Sequence, residues 1–64
     1  MTYPRYFKRF DFNDPDYYRV DYPGAYLVMV RNGRDIATCI YNEETISRFD
    51  HWKEFPVFEL VLML

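Results

Sequence analysis

Asn32-Gly33 stands between two β-prone runs, Ala25 to Val30 and Arg34 to Tyr41. A two-residue type I′ turn needs φ > 0 at both central residues, and Asn-Gly meets that need at low cost. The segment therefore predicts an antiparallel hairpin. With a two-residue loop the register follows: Arg31 faces Arg34, Val30 faces Asp35, Met29 faces Ile36, Val28 faces Ala37 and Leu27 faces Thr38. One face then holds Leu27, Met29, Ile36 and Ile40. The other holds Tyr26, Val28, Val30, Ala37 and Cys39. A sheet with one wet face alternates more cleanly than this. The hairpin is therefore expected to be central in a curled sheet, or covered on its second face by a helix or a partner.

Size sharpens that expectation. The 64 residues make a single domain, 1–64. A chain of this length buries about 60% of its unfolded surface, and stays marginal without a metal, disulfides, oligomerisation or a dense core. One cysteine, Cys39, and one histidine, His51, supply neither an internal disulfide nor a tetrahedral zinc site. Aromatic residues make up 22% of the chain. Each buried ring removes roughly 150–250 Å² from water, which is how so short a chain reaches a workable core.

Upstream of the hairpin, Tyr3 to Phe12 alternates, with Tyr6, Lys8, Phe10 and Phe12 on one side and Arg5, Phe7 and Arg9 on the other. Phe12-Asn-Asp-Pro-Asp16 reads as a turn. Tyr17 to Tyr22 reads as a second strand, and Pro23-Gly24 as a second turn. Downstream, Asn42 is a good N-cap, and Glu43 and Glu44 suit the positive end of a helix dipole. Ile46 and Phe49 share a core-facing stripe. His51 to Phe55 reads as extended or loop. The run Pro56-Val-Phe-Glu-Leu-Val-Leu-Met-Leu64 fits a short helix slightly better than a strand, since Pro suits the first helical position. The expected fold is α+β: a small curled antiparallel sheet of about four strands in meander order, SH3-like or an open barrel, with one or two short helices. The expected core is Phe10, Val20, Leu27, Met29, Ile36, Ile40, Ile46, Phe49 and Leu60.

Tyr-Pro-Arg-Tyr-Phe at Tyr3 to Phe7, Tyr-x-Arg-Val-Asp through Asp21, the acidic start at Asn42-Glu43-Glu44 and Trp52-Lys53-Glu54 together form a pattern. It resembles that of small uncharacterised phage and bacterial accessory proteins. The resemblance brings no activity, cofactor or catalytic residue. It implies an accessory protein of a mobile element, and such proteins often bind and block a host enzyme.

Several chemistries fit the residues poorly. Cys39 lies mid-strand, apart from His51, and reads as a packed thiol rather than a nucleophile. Asp11, Asp14 and Asp16 lack the spacing and terminal Glu of a calcium loop and read as turn formers. With Gly24 and Gly33 as the two glycines there is no phosphate loop. An enzyme, a cofactor and a bound metal are not expected. The first 34 residues carry six basic and four acidic groups, the last 30 two basic and six acidic. That falls short of a duplex-DNA footprint. The start has no apolar run of a signal peptide, and Leu60 to Leu64 is too short to span a bilayer, so a cytoplasmic location without membrane contact is expected.

What remains is a binding surface. The leading expectation is a non-catalytic protein-binding module, a phage-type inhibitor of a larger host protein. Tyr, Trp and Arg concentrate binding energy, which selects Tyr3, Arg5, Tyr17, Arg19, Arg31, Arg34 and Trp52. Arg31 and Arg34 flank the turn and form either a solvated tip or a fork for a partner's carboxylate or phosphate. One alternative is a single-stranded nucleic-acid binder that uses aromatic and Arg side chains on the sheet. Another is a homo-oligomeric structural protein, a homodimer through Val57–Leu64.

Overall fold

The computed structural model describes residues 2–10 and 15–56. Phe12, Asp11, Asp14 and the whole run Val57–Leu64, with Leu60 and its expected helix and dimer contact, lie outside the described residues. The described elements are β1 (Arg5–Arg9), β2 (Tyr17–Val20), β3 (Tyr26–Arg31), β4 (Arg34–Asn42), α1 (Glu43–Ile46) and β5 (Trp52–Phe55). They form an open antiparallel sheet in the order β4-β3-β2-β1-β5. The meander is present, but the sheet has five strands rather than four. The additional strand, Trp52–Phe55, lies within His51 to Phe55, whose sequence fits an extended segment or a loop. It returns across the sheet to pair with β1, with Tyr6 opposite Phe55 and Arg9 opposite Trp52.

Local chemistry sets the turns. Asn32 and Gly33 have φ of 52° and 76°, as a type I′ turn needs. Pro23 and Gly24 occupy the middle of a turn closed by a hydrogen bond from the Ala25 N–H to the Tyr22 carbonyl, and Gly24 takes φ of 84°. A side chain there would be strained, so glycine is required. Asn42 caps α1 by accepting from the Thr45 N–H at 3.0 Å.

The hairpin register departs from expectation two residues past the turn. Arg31 faces Arg34 and Val30 faces Asp35 as expected, but Met29 faces Ala37 and Val28 faces Thr38. Ile36 is an extra residue at a bulge. A second irregularity follows, since Tyr26 faces Asn42. A bulge shifts one strand by a residue, and the period of two then sends the side chains beyond it to the opposite face. Ile36 and Ile40, expected in the core, are instead exposed, Ile40 by 81%.

The core is Phe7, Tyr18, Val20, Ala25, Leu27 and Ile46, with Tyr3, Met29, Cys39, Tyr41 and Trp52 packed around it. Val20, Leu27 and Ile46 were expected there, and Met29 lies at its margin. Phe10 and Phe49 are exposed, a correction to the sequence reading. In β1 the inward side is that of Arg5, Phe7 and Arg9, not that of Tyr6 and Phe10. Both sides of β1 carry rings, so hydrophobicity does not select between them. The choice falls to what the flanking cations meet: Arg5 reaches carboxylates on α1 and β5, and the Arg9 guanidinium lies 5.3 Å from the Trp52 ring centroid.

This core makes a stability prediction. Leu27→Ala is expected to cost about 2–5 kcal/mol, and Phe10→Ala less than about 1 kcal/mol. Urea denaturation of both variants checks it; equal losses would contradict the assignment of the inward face.

Candidate interaction surface

The pairing registers define the outer face of the sheet. Phe55 faces Tyr6, Tyr6 faces Arg19, Arg19 faces Val28 and Val28 faces Thr38, which makes one row across all five strands. Beside it, Lys53 faces Lys8, and Tyr17 faces Val30. The rings of Tyr6 and Phe55 lie 6.4 Å apart and those of Tyr6 and Tyr17 6.1 Å. Tyr26, Ile36 and Ile40 extend the apolar surface over β3 and β4, and all three are exposed.

The arginines and rings selected from the sequence serve mostly as internal ties. Arg5 reaches Glu43 on α1 and holds Glu54 on β5 at 2.6–2.8 Å. The Tyr3 hydroxyl donates to the same Glu43 at 2.8 Å, which holds its pKa above the ordinary value because ionisation would destroy that bond. Arg19 lies on the outer face and holds Asp35 at 2.8–2.9 Å and Asp21 at the β2 end. Arg19 stands opposite Val28 on β3, and its guanidinium reaches beyond that strand to Asp35 on β4. Trp52 packs edge-on against Tyr18 with centroids 4.9 Å apart and meets Tyr41 at 6.2 Å. It is half-buried and closes the inner face.

Arg31 and Arg34 face one another at the turn, but they do not converge as a pair. Arg31 turns to Asp16 and donates two parallel hydrogen bonds of 2.7 and 2.8 Å. Asp16 is 2% exposed, so this is a buried carboxylate gripped by a planar fork. The Lys8 ammonium donates to the Asp16 carbonyl at 3.3 Å. Arg34 remains exposed, without an ion pair among the described residues. Of the seven selected residues, Tyr17, Arg34 and Trp52 make no hydrogen bond or ion pair to a described side chain, and Trp52 is engaged through its ring. The exposed Tyr26, Ile36, Ile40 and Lys53 were not selected. Tyr26 was visible as a binding-type residue, but it was assigned to a strand face; the isoleucines were hidden by the bulge.

A cleft of about 270 Å³ lies between α1, β1 and β5, lined by Arg5, Phe7, Glu43, Ile46, Phe49 and Trp52. Its charged walls, Arg5 and Glu43, are paired with each other. Cys39 is half-buried beside the core, and burial raises its thiol pKa, which lowers its thiolate fraction. Among the described residues no three His, Cys, Asp or Glu side chains form a metal-binding group, and no helix is long and apolar enough to cross a membrane. No protein-family model, curated protein or solved structure matches the chain.

Two measurements test these ties. Arg31→Ala is expected to destabilise by about 2–3 kcal/mol, near the low end for breaking a buried ion pair because Arg31 is itself half in water. Arg34→Ala is expected to change stability by less than about 0.5 kcal/mol. Chemical denaturation at neutral pH distinguishes them, and similar values would show that Arg31 is a free tip residue. The second measurement is acid titration. Arg5 lowers the pKa of Glu54 below its ordinary 4.5, and Arg19 lowers that of Asp35 below its ordinary 3.8. A carboxylate with a folded value below its unfolded one contributes fully above the unfolded value and loses that contribution as pH falls through the folded one. Melting temperature is thus expected to fall below about pH 4. Arg5→Ala should shallow that fall, and an unchanged pH profile would remove the Arg5–Glu54 tie.

Proposed function

We propose that this chain is a non-catalytic protein-binding module that engages its partner with the outer face of the sheet. The observation that carries this reading is the aromatic surface there: Phe55, Tyr6 and Tyr17 run across three adjacent strands, and Tyr26 stands 55% exposed on the fourth. Tyrosine supplies large, rigid contact area together with a hydroxyl, which is why it concentrates binding energy. The binding set is accordingly revised towards Tyr6, Tyr17, Tyr26 and Phe55, with Arg34 at the rim. Tyr3, Arg5 and Trp52 act as the internal support of that face.

Inhibition of a larger host protein is the finer form of the proposal and rests on the phage-like Tyr-Pro-Arg-Tyr-Phe and Tyr-x-Arg-Val-Asp pattern. A cytoplasmic setting belongs to the same reading. An open-barrel description of the curl is supported by Tyr41 and Trp52, which come from the two edge strands and approach to 6.2 Å.

A second reading is favoured by the lysines on that face. Lys8 and Lys53 sit directly opposite each other beside the Tyr6–Tyr17–Phe55 stripe. Rings with adjacent cations bind single-stranded nucleic acid, at roughly 1–3 kcal/mol per stacked base. One experiment separates the two. A protein captured from a host lysate should lose about tenfold or more in affinity with Tyr17→Ala or Tyr26→Ala. Binding to a single-stranded oligonucleotide that weakens steeply with salt would favour the second reading. Full retention of both affinities in the tyrosine variants would remove the outer face from function.

A further inference from the structure

Among the described residues β4 is the longest strand, and no described strand pairs with its outer edge. Its stretch Ile36-Ala-Thr-Cys-Ile-Tyr-Asn42 contains no charge, proline or glycine. Natural edge strands are blunted by charge, proline, bulges or brevity, because unpaired N–H and C=O groups template another strand. Bulges are the one such device here. Ile36 is 45% and Ile40 81% exposed, and Thr38 between them is exposed as well. From these observations we infer that β4 pairs antiparallel with β4 of a second copy of this chain, about a two-fold axis at Thr38.

The register follows from the pleat. Opposed residues in an antiparallel ladder point to the same face, so the axis falls on a residue and not between two. Centring on Thr38 sets Ile36 against Ile40 of the second copy and Ile40 against its Ile36. Ala37 then meets Cys39 of the second copy. Both exposed isoleucines are covered, and no ionised side chain meets a like one. The bulge before Ala37 ends this regular register at Ile36, so the ladder covers Ile36 to Ile40 of each copy. Moving the axis to Ala37 or Cys39 sets an isoleucine against Thr38 instead. The contact is isologous, so pairing uses both β4 edges and closes.

Two five-stranded sheets would join as one, with the axis perpendicular to the sheet. Both outer faces then point the same way, which presents two copies of the Phe55–Tyr6–Tyr17 stripe side by side. This inference stands independently of the partner-binding reading, since it requires no third component.

The test uses three proteins besides the wild type. Sedimentation velocity over a dilution series should show a reversible dimer. Ile40→Lys should be monomeric with unchanged circular dichroism and thermal melting of the monomer, because that side chain supports nothing in its own chain. In a Cys39→Ser background, Thr38→Cys should cross-link quantitatively under mild oxidation, since opposed Cα atoms in a ladder lie roughly 4.5–5.5 Å apart, within disulfide reach. Ser47→Cys, exposed after α1, should not cross-link in the same background. A wild type that stays monomeric overturns the inference and leaves the edge to a foreign strand. A dimer that persists in Ile40→Lys overturns it too, and places the contact elsewhere, with Val57–Leu64 as the first alternative. Cross-linking no faster at Thr38→Cys than at Ser47→Cys removes the register.

Discussion

Arg5 holds the two elements after the hairpin to the first strand. Its guanidinium reaches Glu43 at the start of α1 and Glu54 on β5, and Tyr3 shares the Glu43 carboxylate. The tie adds to the ladder that already pairs β5 with β1, and it brings α1, which follows β4 directly, to the same strand. Both matter to the core: α1 contributes Ile46, and β5 contributes Trp52, which lies edge-on to Tyr18. The pair is partly buried, and its favourable geometry rests on two carboxylates flanking one planar cation. Charge-assisted bonds of this kind draw their strength from reduced solvent, and here the surrounding rings provide that reduction.

The same division of labour recurs at the other charged sites. Arg31 neutralises buried Asp16, and Arg19, opposite Val28, spans from Asp21 to Asp35. Arginine is suited to this because its fork donates to two carboxylates in fixed geometry. A small chain with a single cysteine thus uses its cations as cross-ties between strands distant in sequence. The consequence for function is direct. With the guanidiniums of Arg5, Arg19 and Arg31 occupied, the outer surface offers mainly tyrosine, phenylalanine, isoleucine and lysine, with Arg34 at its rim.

The edge strand gives the surface its second character. The bulge at Ile36 turns two isoleucines away from the core, where a regular hairpin would have buried them. Apolar groups on an edge that no described strand pairs leave the side chains open to association, which the bulges in the same strand blunt only in part. That exposure ends where a strand is bound.

Much of the fold was readable from local chemistry. Asn32-Gly33 specified the turn, Pro23-Gly24 the second reversal, and Asn42 the helix start, because φ preference and capping act within a few residues. Periodicity identified Val20, Leu27 and Ile46 as core. What the tertiary structure alone decided were the questions in which two local answers were equally good. Both faces of β1 carried rings, so the inward one was selected by carboxylates some forty residues away. Arg31 resembled a surface tip until Asp16 was found beneath it. A bulge leaves no mark in the alternation of one strand, because it is a mismatch between two, and so the face of Ile36 and Ile40 was set only when β3 and β4 were paired.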